Sequence, residues 1–424
     1  MLWQQTLQRL GIGARWVELA EEGERATAAR REEIRRQGTV RGWRVLEALQ
    51  AAGLGEGHFA NTTGYGYGDG GRELLDEVTA AILGTEAACL RLQIVSGTHA
   101  IAAGLFGNLN PGDELVSLTG PPYDTLMPVI GPGACSLAEM GVSYRQLELD
   151  GNGRIDFDKI QDFLRPTTRM VFLQRSRGYT WRPSHSVAEL EKAMTLARRA
   201  CPEALMMVDN CYGELVEPDE PSADLLAGSL IKNLGGGVVP TGGYIAGRRA
   251  AVERAANRVT APGIGGEQGP TLGFARNLAQ GLFLAPGVVA AALEGAVWAA
   301  WMFEQAGLEA SPGWKEPRTD LIQAVRLGSP EAQKAFCRGV QRAGPVDHKA
   351  TPQPVVNPGY RDPILMAGGT FIQGSSIELS ADGPLREPYA CYLQGGLNFG
   401  HVQLGALRAL SELETAGFLP REGR

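Results

Sequence analysis

Ala227-Gly-Ser-Leu-Ile-Lys-Asn-Leu-Gly-Gly-Gly237 is a short apolar run that breaks into a glycine-rich turn, with Lys232 at its centre. Lysine is ordinarily a surface residue, and one that follows Leu230 and Ile231 and precedes a run of glycines projects from the end of a buried strand. Desolvation there is expected to depress the pKa of the amine and free its lone pair, the state a Schiff-base lysine uses. A second apolar run, Met206-Met-Val-Asp-Asn210, ends in Asp209. A strand-end aspartate followed by a strand-end lysine is the order expected where an acid meets a pyridinium nitrogen and an amine meets an aldehyde. A satisfied core lysine beside an unrelated loop aspartate is the alternative.

Working outward, short strands alternate with helices from about residue 85 to 250, which predicts a mostly parallel α/β sheet covered on both faces. Ligands bind such sheets at the carboxyl ends of the strands, and each chemically loaded segment falls at one. Cys89-Leu-Arg-Leu-Gln-Ile-Val95 leads into Ser96-Gly-Thr-His-Ala100, a strand, turn and helix start. The free N–H groups of Gly97 and Thr98 and the hydroxyls of Ser96 and Thr98 form a candidate anion cradle. The next strand, Leu115-Val-Ser-Leu118, ends near Tyr123, a candidate to lie flat on a planar ring; a surface tyrosine on a Pro-Pro turn is the alternative. After Arg169-Met-Val-Phe-Leu173 comes Gln174-Arg-Ser-Arg-Gly-Tyr-Thr-Trp-Arg-Pro183, where Arg175 and Arg177 suggest anion handling.

Ahead of the sheet, Asn61-Thr-Thr-Gly-Tyr-Gly-Tyr-Gly-Asp-Gly-Gly-Arg72 is poor core material, and Tyr65, Tyr67 and Arg72 are candidates to reach into a site. Residues 1–60 read as an N-terminal helical arm, 61–285 as the large ligand-binding domain and 286–424 as a smaller α/β C-terminal domain. In the last, Arg386 is a candidate clamp for a substrate carboxylate, with a plain surface arginine as the alternative. The second half of Gly368–Ser380 alternates like a half-buried strand.

The 424 residues carry a net charge of −7 and no long basic run, which gives no reason to expect nucleic acid as a partner. Six scattered cysteines without CxxC spacing point to reduced thiols and a cytoplasmic setting. No secretory leader is evident, and Gly281–Phe303, interrupted by Pro286, Gly287 and Glu294, reads as a buried helix rather than a membrane span. Asp150-Gly-Asn-Gly-Arg-Ile155 looks like a calcium loop, but Arg154 and Gln161 stand where ligands belong, so no metal site is expected. No GxGxxG follows an early strand, which argues against a nicotinamide-binding fold.

Together, Tyr65–Arg72, Val95–Ala100, Gln174–Tyr179, Val208-Asp-Asn-Cys-Tyr-Gly-Glu214 and Ser229–Gly237 resemble the bacterial methionine gamma-lyase-like family, often labelled "aluminium resistance protein". It is a branch of the fold-type I enzymes dependent on pyridoxal 5′-phosphate (PLP), related to cystathionine gamma-synthase and cystathionine lyases. The resemblance implies that Lys232 bonds the cofactor, Asp209 meets the pyridine nitrogen and Tyr123 stacks on the ring. It places Ser96, Gly97, Thr98, Tyr212 and Ser229 around the cofactor, with Tyr65 donated by a neighbouring subunit of a homodimer or homotetramer.

Two departures stand out. Tyr65-Gly-Tyr67 replaces the Tyr-x-Arg of the transsulfuration enzymes, and Ser176-Arg-Gly-Tyr-Thr180 replaces their Ser-Pro-x-Asn-Pro turn. Substrate handling has therefore diverged. The implied activity is carbon–sulfur elimination from an amino acid such as cystathionine, cysteine or methionine, with Lys232 as base and Tyr65 or Tyr67 as acid. An aminotransferase, or a PLP-binding stress protein without turnover, shares the same cofactor residues.

Overall fold

A computed structural model describes residues 2–419. The chain divides into two compact units, residues 40–286 and residues 1–39 with 287–424.

The first unit is built on seven strands: Ala87–Arg91 (β1), Glu114–Ser117 (β2), Ser143–Gln146 (β3), Thr168–Gln174 (β4), Leu205–Asp209 (β5), Leu225–Ser229 (β6) and Gly243–Gly247 (β7). Their order across the sheet is β1-β7-β6-β5-β4-β2-β3. Every contact is parallel except those of β7, which runs antiparallel to both β1 and β6. β2, β6 and β7 are buried along their whole length and β4 and β5 nearly so, as strands covered on both faces must be. Ile94, Ile101, Leu115, Met170, Phe172, Met207 and Val252 form a core between this sheet and helices Gly97–Asn108 and Arg249–Val259.

Helix starts follow the local chemistry. Asp69 caps Gly70–Leu83 through the Arg72 N–H (2.9 Å), and Gly84 closes that helix in the left-handed conformation. Ser186 and Glu189 form a reciprocal capping box at Val187–Ala200. β3 escaped the sequence reading. It is a four-residue edge strand, partly exposed, whose Arg145 pairs with Glu114 at 2.9 Å rather than contributing apolar alternation.

The second unit holds an antiparallel sheet of Glu309–Ser311 (β8), Gln323–Arg326 (β9), Ile364–Ala367 (β10), Ser380–Pro384 (β11) and Ala390–Gln394 (β12), ordered β10-β11-β12-β9-β8. Helices Pro330–Ala343 and Phe399–Thr415 pack so closely that a Cβ on Gly339 would overlap the Ala409 backbone. Trp16, Trp298, Phe303 and Phe336 are the large side chains of its core. Residues 375–379 are buried but are not a strand, contrary to their alternating pattern: the chain there wraps its own Glu378, whose carboxylate accepts the N–H groups of Phe371 (2.8 Å) and Ile372 (3.0 Å).

The apolar run expected as a buried helix belongs to Ala275–Gln305, which continues through Pro286. It is long and apolar enough to cross a membrane, and 72% of its most apolar window is buried within the protein. The boundary between the two units falls within it, after Pro286.

The turn after Lys232 tolerates no side chain. A Cβ on Gly235 would overlap the Leu230 carbonyl oxygen and lie 3.2 Å from Val239 Cβ. Gly235→Ala is expected to cost about 3 kcal/mol of stability by displacing that turn, measured as a lowered midpoint in urea unfolding with an unchanged m-value.

Candidate active site

β6 ends at Ser229, and Leu230 is held by its N–H to the Gly242 carbonyl at 2.9 Å. Lys232 then opens the single helical turn Asn233–Gly235. Its Nζ lies 4.5 Å from the centre of the Tyr212 ring. Tyr212 takes φ +70°, an uncommon backbone for a bulky residue, so the loop after β5 holds the ring under the amine at a conformational cost. From the neighbouring end of the sheet, β1 leads through a turn to Gly97 at the start of a helix.

A Cβ on Gly97 would lie 3.1 Å from Cys211 Sγ, 3.3 Å from Ser229 Cβ and 3.7 Å from Lys232 Nζ. Three separate segments therefore meet at one point, beyond the carboxyl ends of β1, β5 and β6. Asp209 closes β5, is buried, and its carboxylate accepts the Cys211 N–H at 3.1 Å.

Electrostatics couple these groups. Burial lifts the Asp209 carboxyl above the usual range, opposed by the Lys232 charge and by the Cys211 hydrogen bonds. Lys232 corrects the sequence expectation. Burial by itself pushes its pKa down, but Cys211, Tyr212, Asp209 and Glu214 together outweigh that effect and leave it above an ordinary lysine. Burial also drives the Cys211 thiol well up, with Asp209 adding to the shift, so this cysteine is a neutral packing group rather than a nucleophile.

Residues 16–414 match the methionine gamma-lyase family model. The chain belongs to the methionine gamma-lyase family. It is 45% identical over 378 residues to the uncharacterized protein YnbB of Bacillus subtilis (strain 168), covering 88% of this chain and 90% of that one. A crystal structure from Clostridium novyi NT, described as a carbon-sulfur lyase involved in aluminum resistance, is 41% identical with a TM-score of 0.92, covering 96% and 98% of the two chains. The PLP-dependent protein YhfS of Escherichia coli, at 18% identity, shares the fold with a TM-score of 0.58 over 89% of this chain and 96% of that one. The architecture is the fold-type I arrangement of PLP enzymes, and PLP is the family's cofactor.

The family residues fit that group chemically. They comprise a primary amine, a buried carboxylate one strand away, and a helix N-terminus whose first residue has no side chain to fill the space an anion would take. Thr98 stands on this helix with its hydroxyl 2.7 Å from that of Thr125. Ser229 is buried at the end of β6. The Ser96 hydroxyl serves as the helix cap, accepting the His99 N–H at 3.0 Å, which leaves its own O–H to donate. Tyr123 packs beside Tyr179, ring centres 5.6 Å apart, and over Gly178, where a Cβ would come within 2.8 Å of its ring.

The other expected site residues have surroundings of their own. Arg175 is not a substrate ligand: its guanidinium is fully buried and bound to Glu217 (2.9 Å), Glu220 (3.0 Å) and the Asn210 side-chain oxygen (2.8 Å). Arg177 is likewise buried. Arg72 is buried too, donating to the Gly66 carbonyl at 2.6 Å, so it organises its own loop rather than reaching a ligand. Tyr65 and Tyr67 are 69% and 63% exposed, stacked at 5.7 Å, with the Tyr67 hydroxyl accepting from Gln268 at 2.7 Å. Arg386 belongs to the second unit, where it pairs with Asp362 at 2.6 Å.

Sequence reading missed Cys211, Glu214, Asn233 and Tyr244. Asn233 donates to the Glu214 carbonyl at 2.8 Å, and Tyr244 donates to the Glu214 carboxyl at 2.8 Å. The signal lay in the motif itself, since a glutamate within Val208–Glu214, directly after a buried strand, is out of place unless paired.

Two outcomes follow from the geometry. Gly97→Ala is expected to weaken PLP binding about tenfold, roughly 1.4 kcal/mol, read by titrating the apoprotein with PLP. Arg175→Met leaves the part-buried Glu217 and Glu220 without their cation and is expected to cost about 3 kcal/mol, read by urea unfolding.

Proposed function

We propose that this protein is a PLP-dependent carbon–sulfur lyase that eliminates a thiol from a sulfur-containing amino acid, leaving a 2-oxo acid and ammonia. The observation that carries this reading is the meeting of Lys232, Ser229 and the Gly97 helix start at one point, with buried Asp209 charged against the same lysine. The similarity to the Clostridium novyi lyase supports the elimination chemistry.

Lys232 Nζ holds the cofactor, and the Gly97 and Thr98 N–H groups with the Thr98 and Ser229 hydroxyls take its phosphate. Asp209 keeps a proton at the pyridine nitrogen. PLP, when bound, supplies an electron-withdrawing ring that stabilises negative charge at the substrate Cα. Released by the substrate amine, Lys232 removes the Cα proton. In the free protein Cys211, Tyr212, Asp209 and Glu214 outweigh the effect of burial and hold a proton on Lys232, so the amine serves as a base only while it is neutral. Tyr123 would be the residue to stack on the cofactor ring, and Tyr65 or Tyr67 of a second copy in a cytoplasmic homo-oligomer would protonate the leaving sulfur.

The decisive measurement is product analysis with cystathionine, cysteine and methionine supplied singly. Equal amounts of ammonia and 2-oxo acid, absent in Lys232→Ala, are expected from at least one of them. Oxo acid without ammonia, with the amino group retained on the cofactor, would establish an aminotransferase instead.

A further inference from the structure

Glu214 is a fully buried carboxyl that has no contact with cofactor or substrate in the proposed chemistry. Its Oε1 accepts the Tyr244 hydroxyl at 2.8 Å, while Oε2, also buried, has no hydrogen-bond partner among the described residues. A lone carboxyl oxygen in such a place is costly and calls for a reason.

Its position supplies one. The Glu214 backbone carbonyl accepts the side-chain N–H of Asn233, the residue that follows Lys232, at 2.8 Å. Its side chain reaches Tyr244 on β7, the strand paired with β6, which leads to Lys232. Gly228 on β6 leaves the room for this pair: a Cβ there would come within 2.5 Å of Glu214 Oε1 and 2.6 Å of the Tyr244 hydroxyl. Glu214 thus ties the loop that carries Asp209 and Tyr212 to the turn that carries Lys232, and it brings an ionisable group behind the amine.

We propose that Glu214 is a positioning residue for Lys232, fixing the lysine turn against the Asp209 loop and setting the charge balance of the amine through the Tyr244-bound carboxyl. This rests on the PLP-lyase reading above and deepens it. The titratable groups that face Glu214 are Tyr244, Lys232, Glu220, Cys211 and Asp209, with Glu220 itself neutralised by Arg175. Burial is the largest influence on the carboxyl and lifts its pKa to about 8, with Lys232 pulling the other way. The protonation of Glu214 and that of a cofactor imine on Lys232 would therefore be coupled through the charge they share.

The test uses the PLP-loaded protein without substrate. The visible imine band is titrated with pH in wild type, Glu214→Gln and Tyr244→Phe, and kcat, KM and thermal midpoint are measured in parallel. Gln keeps the Tyr244 hydrogen bond and the volume but carries no charge. Glu214→Gln is expected to lower the imine midpoint by about 0.5 pH units or more, because an anion that favours the protonated imine has been removed. The kcat is expected to fall about tenfold or more with KM little changed. Tyr244→Phe is expected to shift the imine midpoint as well.

An unchanged imine midpoint and kcat in Glu214→Gln, with only a lowered thermal midpoint, would overturn the proposal and leave Glu214 a packing residue. Absence of the imine band in wild type would instead overturn the PLP reading itself, so the two failures are distinguishable.

Discussion

A charged amine half-buried at the end of a sheet is stable only if the surrounding chain supplies compensating charge. Lys232 is in that position, and the structure answers with Asp209 at the end of β5 and Glu214 in the loop that follows. Everything near the site is arranged around that balance. Gly97 gives up its side chain so that a helix start can approach the amine, Gly228 gives up its own so that Glu214 and Tyr244 can meet, and Tyr212 accepts a left-handed backbone to lie under Nζ. Each is a local sacrifice of packing or conformational ease, and Gly97 and Tyr212 fall within reach of Lys232 Nζ.

A second charge system protects the first. Arg175, Glu217, Glu220 and Asn210 form a closed cluster in which Arg175 also donates its backbone N–H to the Asp209 carbonyl at 3.1 Å. Glu220 accepts the Leu215 N–H at 2.7 Å, and Arg41 donates to the carbonyls of Val216 (2.6 Å) and Glu217 (3.1 Å). The loop from Asp209 to Glu220 is therefore fastened by buried ionic contacts along its length. Such contacts are poor sources of net stability but strong selectors of a single arrangement. Here that selection falls on the segment that carries Asp209, Cys211 and Tyr212.

The sheet was legible because hydrophobic strand runs and their polar ends survive in sequence. β2, β4 and β5 were read to within a residue at each end. The lysine, the strand-end aspartate and the Gly97 turn were legible for the same reason: each breaks an apolar pattern. Charge pairing was not. An arginine-rich stretch after β4 looks the same whether its guanidinium groups face an anionic ligand or part-buried glutamates 42 and 45 residues downstream, and Arg175 does the latter. The sign of the Lys232 shift was missed likewise, because burial is visible in apolar neighbours whereas the opposing carboxyls come from another segment. Residues 375–379 alternate like a strand, yet one glutamate captures two backbone N–H groups and curls the chain instead.

The tyrosine loop shows how rigidity and exposure combine. Asp69 accepts from the Thr62 hydroxyl, from the Thr271 N–H and hydroxyl, and from the Arg72 N–H, while the buried Arg72 guanidinium holds the Gly66 carbonyl. Gly66, at φ +64°, lies so close to Pro270 that a Cβ would fall 2.6 Å from its Cα. The backbone is thus fixed from beneath while Tyr65 and Tyr67 stand out from it, mostly exposed. A flexible loop would lose much of its contact energy to ordering on association; a fastened one presents its phenols already in place. A surface of that kind is suited to contact with another molecule, the use to which the proposed function puts the two phenols.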